Sequence, residues 1–160
     1  MGGSRTRWTV ATAAEMEELG RRLGQRLWPG AVVALIGPLG AGKTTLTRGI
    51  ARGLGCGEDV RSPSFTLIHT YPGRIPLYHI DAYRLTNLAE WQELGPEEFL
   101  EGEGVTVVEW AERVNEGLPE ERLEVEIAGV GLKTPREVYL RPCGSRFERL
   151  VEELVAAGEG

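Results

Sequence analysis

Apolar residues recur at helical spacing in two segments of the N-terminal third of the chain. The first segment predicts a helix over residues 12–27, which opens at a Thr-x-x-Glu capping box. Its apolar positions are Met16, Leu19, Leu23 and Leu27. The second segment predicts a helix over residues 43–54, with Gly55 as its stop. Its apolar positions are Leu46, Ile50 and Leu54.

Strand patterns fill most of the remaining chain. Continuous apolar runs at 31–36 and 105–108 are typical of strands buried on both faces of a parallel sheet. Other patterns predict a short edge strand, an antiparallel pair joined at Pro72-Gly73 and a C-terminal hairpin. The edge strand spans residues 7–10. The antiparallel pair spans 64–71 and 75–80, and the hairpin strands span 123–127 and 138–140. Short helical pieces between 86 and 100 and a closing helix from 145 complete the pattern.

Strands alternating with helices predict an α/β fold that ends in a β-hairpin and a helix. The 160 residues suit one domain, and no Ser- or Pro-rich linker interrupts them. We therefore expect a single domain over residues 1–160, with residues 1–5 as a loose tail.

Composition and charge narrow the possible partners and location. The net charge is −6 without a dense basic run, which disfavours independent RNA binding, so any contact with tRNA is expected to be indirect. The apolar run at 31–36 is too short to span a bilayer. The N-terminus lacks the apolar core of a signal peptide, so we expect a cytoplasmic protein without a membrane association. The two cysteines have no metal-binding spacing.

A phosphate-binding loop motif follows the buried strand at 31–36. Gly37, Gly42, Lys43 and Thr44 match G-x-x-x-x-G-K-[ST] at every position. Glycines let successive backbone amides turn toward phosphate oxygens, and the following helix presents its N-terminus to the anion. Lys43 would contact the β- and γ-phosphates, and the Thr44 hydroxyl would ligate Mg²⁺. The motif predicts binding of ATP with Mg²⁺.

Two carboxylates follow strands that we expect beside the phosphate loop. Asp81 ends the strand at 75–80, and Glu109 follows the buried strand at 105–108. Such positions supply the metal-side carboxylate and the group that orients the attacking water. Either residue could be on the metal side, so both are candidate metal ligands together with Thr44. We assign Asp81 to the Mg²⁺ shell and Glu109 to the catalytic water, with Lys43 as the third catalytic residue.

The connector between the loop and Asp81 carries three short hydroxyl side chains, on Ser62, Ser64 and Thr66. Hydroxyls in a mobile connector can approach a γ-phosphate and report its presence, as switch segments do. From composition alone, an ordinary turn in which Pro63 leads into a strand is the better explanation.

Four segments occur together in an order that resembles the TsaE family, also called YjeE. They read G-P-L-G-A-G-K-T-T from Gly37, S-P-S-F-T-L from Ser62, H-I-D-A-Y-R-L from His79 and E-W-A-E from Glu109. The resemblance covers residues 8–127. Two positions depart from the family pattern: Ser64 replaces a usual Thr, and Ala111 replaces a usual Pro.

The resemblance implies a three-layer P-loop NTPase fold with a mixed, partly parallel central sheet. It implies an ATPase that supports tRNA threonylcarbamoyladenosine biosynthesis by cycling a complex of the proteins TsaB and TsaD. By the same resemblance, Asp81 is the metal-side residue, Glu109 is the catalytic residue, and residues 62–66 are switch-like. The phosphate-binding positions it implies are Gly40, Ala41, Gly42, Lys43, Thr44 and Thr45.

Other phosphate-loop activities remain as alternatives. The main one is a kinase that phosphorylates a small molecule, although the acidic segment 86–100 would make a poor arginine lid. A GTPase is less consistent with the sequence because no N-K-x-D segment occurs. A nucleotide-sensing module without catalysis would use Lys43 and Thr44 but leave Glu109 idle.

Overall fold

The computed structural model describes residues 5–37, 42–56, 68–128 and 135–158, and its strands form one sheet. The strands are β1 (Thr6–Val10), β2 (Val32–Ile36), β3 (Ile68–Tyr71), β4 (Leu77–Asp81), β5 (Val105–Glu109), β6 (Arg122–Ala128) and β7 (Arg136–Cys143). The α-helices are α1 (Ala13–Arg26), α2 (Lys43–Gly53), α3 (Leu88–Glu93), α4 (Pro96–Leu100) and α5 (Ser145–Gly158). Three 3-10 turns span Ala82–Arg84, Ala111–Arg113 and Asn115–Gly117.

The sheet has a parallel centre and antiparallel edges. Its strand order is β1-β7-β6-β2-β5-β4-β3. β2 pairs in parallel with β5 and β6, and β4 pairs in parallel with β5. β7 pairs antiparallel with β6 and β1, and β3 pairs antiparallel with β4. The carboxyl ends of β2, β4 and β5 therefore lie at the same edge of the sheet.

Helices cover both faces of the sheet and give the fold three layers. Side chains of α1, α2 and α5 form one hydrophobic core with Val33 and Leu35 of β2. Side chains of α3 and α4 form the second core with Ala34 of the same strand. This burial on both faces explains why the central strand is a continuous apolar run.

The elements predicted from the hydrophobic pattern are confirmed with two exceptions. The strand predicted over 75–80 begins at Leu77, because Ile75 bonds to Leu54 outside the sheet ladder. Residues 64–67 of the strand before it lie outside the described residues. The Thr12 hydroxyl accepts a hydrogen bond from the Glu15 amide, and the Glu15 carboxylate accepts one from the Ala11 amide. The edge strand, the antiparallel pair and the C-terminal hairpin with its helix are all present. The α/β fold with a mixed, partly parallel sheet is therefore also confirmed. Within the described ranges, none of the helices combines the length and apolar character that crossing a bilayer requires.

Candidate active site

The candidate site lies where the central parallel strands end and α2 begins. Gly37 follows β2, and α2 starts at Lys43. In the register of the sheet, Glu109 is opposite Leu35 of β2 on one side and Asp81 of β4 on the other. The loop motif and both predicted carboxylates thus converge at one edge, as the sequence led us to expect.

Two glycines of the motif meet backbone requirements that other residues would not. Gly37 has a φ of 154°, and a Cβ there would lie 2.6 Å from the carbonyl oxygen of Ile127 in β6. Gly42, the N-cap of α2, has a φ of 109° in the left-handed region. The chain can therefore leave β2 against the backbone of β6 and enter α2 with its first amides unpaired by a side chain. Free amides at a helix N-terminus favour anion binding.

Lys43, the first residue of α2, is buried in the site with only 5% of its surface exposed. Its Nζ donates a hydrogen bond of 2.6 Å to the Gly37 carbonyl oxygen and lies 3.4 Å from the centroid of the Trp110 ring. Burial lowers the pKa of Lys43 from its usual 10.5, while the carboxylates of Glu109, Glu112 and Asp81 oppose that shift. In this arrangement the ammonium group contacts a carbonyl oxygen and an aromatic face.

Thr44 and Glu109 connect α2 to β5. The Thr44 hydroxyl donates to Glu109 Oε2 at 3.4 Å, and Glu109 is 3% exposed. A second donor to the same oxygen is His79 Nε2, at 2.5 Å. Glu109 is therefore directed toward the start of α2 rather than toward solvent.

Asp81 lies beside this group, in the last position of β4. It is half-buried, and its Oδ1 accepts a hydrogen bond of 2.9 Å from the Tyr83 amide, which caps the 3-10 turn at Ala82–Arg84. It is also close enough for its charge to act on Lys43. Asp81 thus belongs to the same site, one strand farther from α2 than Glu109.

Trp110 shapes the site through an unusual backbone. Its φ is 60°, so it adopts the left-handed conformation that costs a non-glycine residue roughly 1–2 kcal/mol. The turn ends β5 abruptly and brings the indole ring over Lys43. Ala111, where the family pattern has Pro, is buried and begins the following 3-10 turn. Strain of this kind is concentrated at functional sites.

The donor atoms suit Mg²⁺ bound together with phosphate. In the part of the chain that the structure describes, no group of three His, Cys, Asp or Glu side chains could hold a metal alone. Mg²⁺ is usually held by one or two protein oxygens plus phosphate oxygens and water. The Thr44 hydroxyl and the carboxylates of Glu109 and Asp81 are oxygen donors of this type. Negative charge from Asp81, Glu109 and Glu112 around one ammonium group also favours a cation there.

Several predicted site residues lie outside the described residues. They are Gly40 and Ala41 of the loop, together with Ser62, Ser64 and Thr66 of the switch-like connector. Thr45 is described, in the first turn of α2, where it is half-buried. The structure thus brings together Lys43, Thr44, Asp81 and Glu109.

Two contacts of this site were not predicted from the sequence. His79 lies 2.5 Å from Glu109, although the sequence analysis gave it no place in the site. Trp110 contacts the Lys43 ammonium group through the face of its ring. The available signal was the strand alternation, which places His79 and Asp81 on one face of β4.

Known proteins resemble this chain in sequence and in structure. The family described as "Threonylcarbamoyl adenosine biosynthesis protein TsaE" matches residues 10–138. The tRNA threonylcarbamoyladenosine biosynthesis protein TsaE of Bacillus subtilis is 42% identical over 149 residues, which cover 92% of each chain. The protein of the same name from Treponema pallidum is 43% identical over 116 residues, covering 72% of this chain and 86% of the relative.

A solved structure matches over almost the full length. The crystal structure of YdiB from Bacillus subtilis superimposes with a TM-score of 0.81 at 38% sequence identity. The match covers 99% of this chain and 98% of that chain.

Proposed function

Since the chain belongs to the TsaE family and acts in tRNA threonylcarbamoyladenosine biosynthesis, we propose that it is an ATPase that binds and hydrolyses Mg²⁺-ATP there. The observation that carries this proposal is the convergence of Lys43 and Thr44 with Glu109 at the ends of adjacent parallel strands. Asp81 lies beside them. These are the residue types that a phosphate-loop ATPase requires.

Binding of ATP would change the partners of Lys43. Its ammonium group exchanges the Gly37 carbonyl and the Trp110 face for oxygens of the β- and γ-phosphates. The amides at the start of α2 add hydrogen bonds to the same anion. Mg²⁺, held through Thr44 and the Asp81 side of the site, would neutralise phosphate charge. Binding thus exchanges neutral partners of the ammonium for anionic ones.

Glu109 is the residue that we assign to the attacking water. Its carboxylate is fixed at the end of β5 and can accept a proton or a hydrogen bond from water placed in line with the γ-phosphate. The ring of Trp110 restricts solvent on the Lys43 side. In this assignment Lys43 and Thr44 bind the nucleotide, whereas Glu109 acts mainly in the chemical step.

The proteins TsaB and TsaD are the partners that we propose, and hydrolysis would cycle their complex between rounds of tRNA modification. The net charge of −6 is consistent with contact to tRNA through those partners rather than directly.

The test is an ATPase assay of the full chain with and without TsaB and TsaD. We expect hydrolysis to rise when both are added and Glu109→Gln to lower kcat by roughly 100-fold or more, because general-base contributions are typically 10²–10⁴-fold. Glu109→Gln should still bind Mg²⁺-ATP, whereas Lys43→Ala should bind it weakly. Glu116→Gln, at an exposed carboxylate on the Asn115–Gly117 turn, is the matched control.

Three outcomes would contradict the proposal. Failure of the wild-type chain to bind ATP with Mg²⁺ would remove the nucleotide from its function. Transfer of the γ-phosphate to a small metabolite without any partner would instead identify the chain as a kinase. An unchanged rate in Glu109→Gln would exclude Glu109 from the chemical step.

A further inference from the structure

His79 lies in the middle of β4 with its side chain fully buried. Strand alternation places it on the same face of β4 as Leu77, which contributes to the core beneath α1 and α2. Glu109 occupies the corresponding face of the neighbouring β5, so the two side chains meet across the strand pair. The His79 Nε2 atom lies 2.5 Å from Glu109 Oε2. Burial of a polar or charged group costs free energy unless the group is hydrogen-bonded, so each member of this pair compensates for the burial of the other.

The chemistry of the pair defines which atom donates. The proposed function requires Glu109 as an ionised carboxylate, which only accepts hydrogen bonds, and in that form His79 Nε2 is the donor to Oε2. Within the described ranges, the other ring nitrogen, Nδ1, has no hydrogen-bond partner. Among the described residues, the orientation of the imidazole is therefore set by apolar packing and by one polar contact, Glu109.

Thr44 is the other donor to Glu109 Oε2, and its bond is the longer of the two, at 3.4 Å. In the function proposed above, the Thr44 hydroxyl becomes a ligand of Mg²⁺ and can no longer serve Glu109 in the same way. Among the described residues, His79 is then the donor that remains on Oε2. Among the described residues, both hydrogen-bond contacts of Glu109 are made by Oε2, which leaves Oε1 for a water molecule.

We infer that His79 is a positioning residue that holds Glu109 Oε2, so that Glu109 keeps its orientation toward the attacking water when Thr44 turns to the metal. The inference rests on the proposed ATPase function. It assigns His79 an action through Glu109 and no contact with ATP. Partners of this kind, one bond behind a reacting group, change activity by roughly 10–100-fold when they are removed.

Three variants separate positioning from simple packing. His79→Leu removes the donor and keeps an apolar side chain, whereas His79→Gln retains an N–H group that can reach Oε2. His69→Leu is the matched control, because His69 is the register partner of His79 on β3 and bonds to the Tyr71 hydroxyl instead. All three are compared with wild type in Mg²⁺-ATP binding and in hydrolysis with TsaB and TsaD present.

We expect His79→Leu to lower kcat roughly 10–100-fold while the KM for ATP changes less than about threefold. His79→Gln should recover much of the loss, and His69→Leu should match wild type. In a Glu109→Gln background, His79→Leu should produce no further loss, because a residue that acts only through Glu109 has nothing left to position. Equal kcat values for His79→Leu and wild type, or full additivity of the two losses, would overturn the inference.

A second measurement does not depend on hydrolysis. Proton NMR of the histidine ring should give a strongly downfield Nε2–H signal that is absent in His79→Leu and shifted upfield in Glu109→Gln. The signal should persist when Mg²⁺ and a non-hydrolysable ATP analogue are added. Its loss on nucleotide binding would overturn the inference even if the ATPase activity is confirmed. Its persistence in a chain without ATPase activity would retain the His79–Glu109 contact while refuting the proposed function.

Discussion

At the scale of single residues, the candidate site is characterised by buried polar groups, Lys43, His79 and Glu109. Lys43 is buried on a carbonyl oxygen and an indole face, neither of which carries a full negative charge. Its nearest anionic neighbours act through space and only oppose the desolvation. The consequence is an ammonium group whose pKa lies below the usual 10.5 and which gains strongly from an incoming phosphate.

The pKa of Lys43 leads to a prediction about pH. In the unliganded chain, the pKa of Lys43 lies below 10.5, so Lys43 should lose its proton at a lower pH than an exposed lysine does. As the pH is raised, the affinity for ATP should therefore begin to fall before exposed lysines titrate. Between the folded and the unfolded pKa, the unfolded chain binds more protons. The contribution of Lys43 to stability therefore rises with pH in that window. NMR titration of the Lys43 side chain measures the shift directly.

The same titration contains its own control. With Mg²⁺-ATP bound, the pKa of Lys43 should rise, because phosphate oxygens stabilise the ammonium form. Lys43→Arg identifies the Lys43 signal by its disappearance. A free-state pKa at or above 10.5 would show that burial does not govern this lysine.

At the scale of elements, the packing of α1 on α2 determines where the loop-motif residues Lys43 and Thr44 lie. The two helices cross through small residues, Gly20 and Gly24 on α1 and Gly49 and Gly53 on α2. A Cβ at Gly49 would lie 2.0 Å from the Glu17 carbonyl oxygen. The backbones therefore approach closely, and α2 is held with Lys43 and Thr44 directed at the end of β5.

Replacement of a crossing glycine should separate the helices. Gly49→Ala brings a helix-propensity gain of about 1 kcal/mol. The clash with backbone outweighs this gain, so we expect a net loss of about 1–3 kcal/mol in the free energy of unfolding. Denaturant unfolding measures the change. Glu152→Ala, at an exposed position of α5, should stay within about 0.5 kcal/mol of wild type. If the free energy of unfolding of Gly49→Ala equals that of wild type, close contact between the two helix backbones does not contribute to stability.

At the scale of the whole molecule, the candidate site lies between the two hydrophobic cores of the fold. α2 belongs to the core on one face, and the turns after β4 and β5 pack into the core on the other face. A ligand that contacts the start of α2 and the ends of β4 and β5 therefore ties all three layers together. Ligand binding to the folded state alone raises stability by mass action.

Mg²⁺-ATP should accordingly raise the melting temperature. At 100 times Kd the stabilisation is about 2.7 kcal/mol. For a domain of this size that corresponds to an increase of about 5–11 °C. Differential scanning calorimetry measures the shift, and a chelator should reduce it by removing the metal. Lys43→Ala is the control and should show little increase at the same nucleotide concentration. An equal increase in Lys43→Ala would place the nucleotide elsewhere.

Elements whose signal lies within a short segment were predictable from the sequence. Helix α1 was predicted with its cap because the apolar spacing and the Thr12–Glu15 pair lie within a few residues of each other. β2 and β5 were predicted because burial on both faces leaves a continuous apolar run. The start of β4 was placed two residues too early, since Ile75 is apolar but precedes the ladder and bonds to Leu54. The apolar character of a residue does not reveal where the hydrogen bonding between two strands begins.

The sequence by itself determined the elements, the phosphate-binding motif and the family, because periodicity and motif spacing are properties of short segments. Only the tertiary structure decided that His79 meets Glu109, which lies 30 residues away, and that Trp110 covers Lys43. The pairing depends on the register between two parallel strands, and that register depends on packing against helices on both faces. Contacts of this kind are set by the whole fold, so no local pattern contains them.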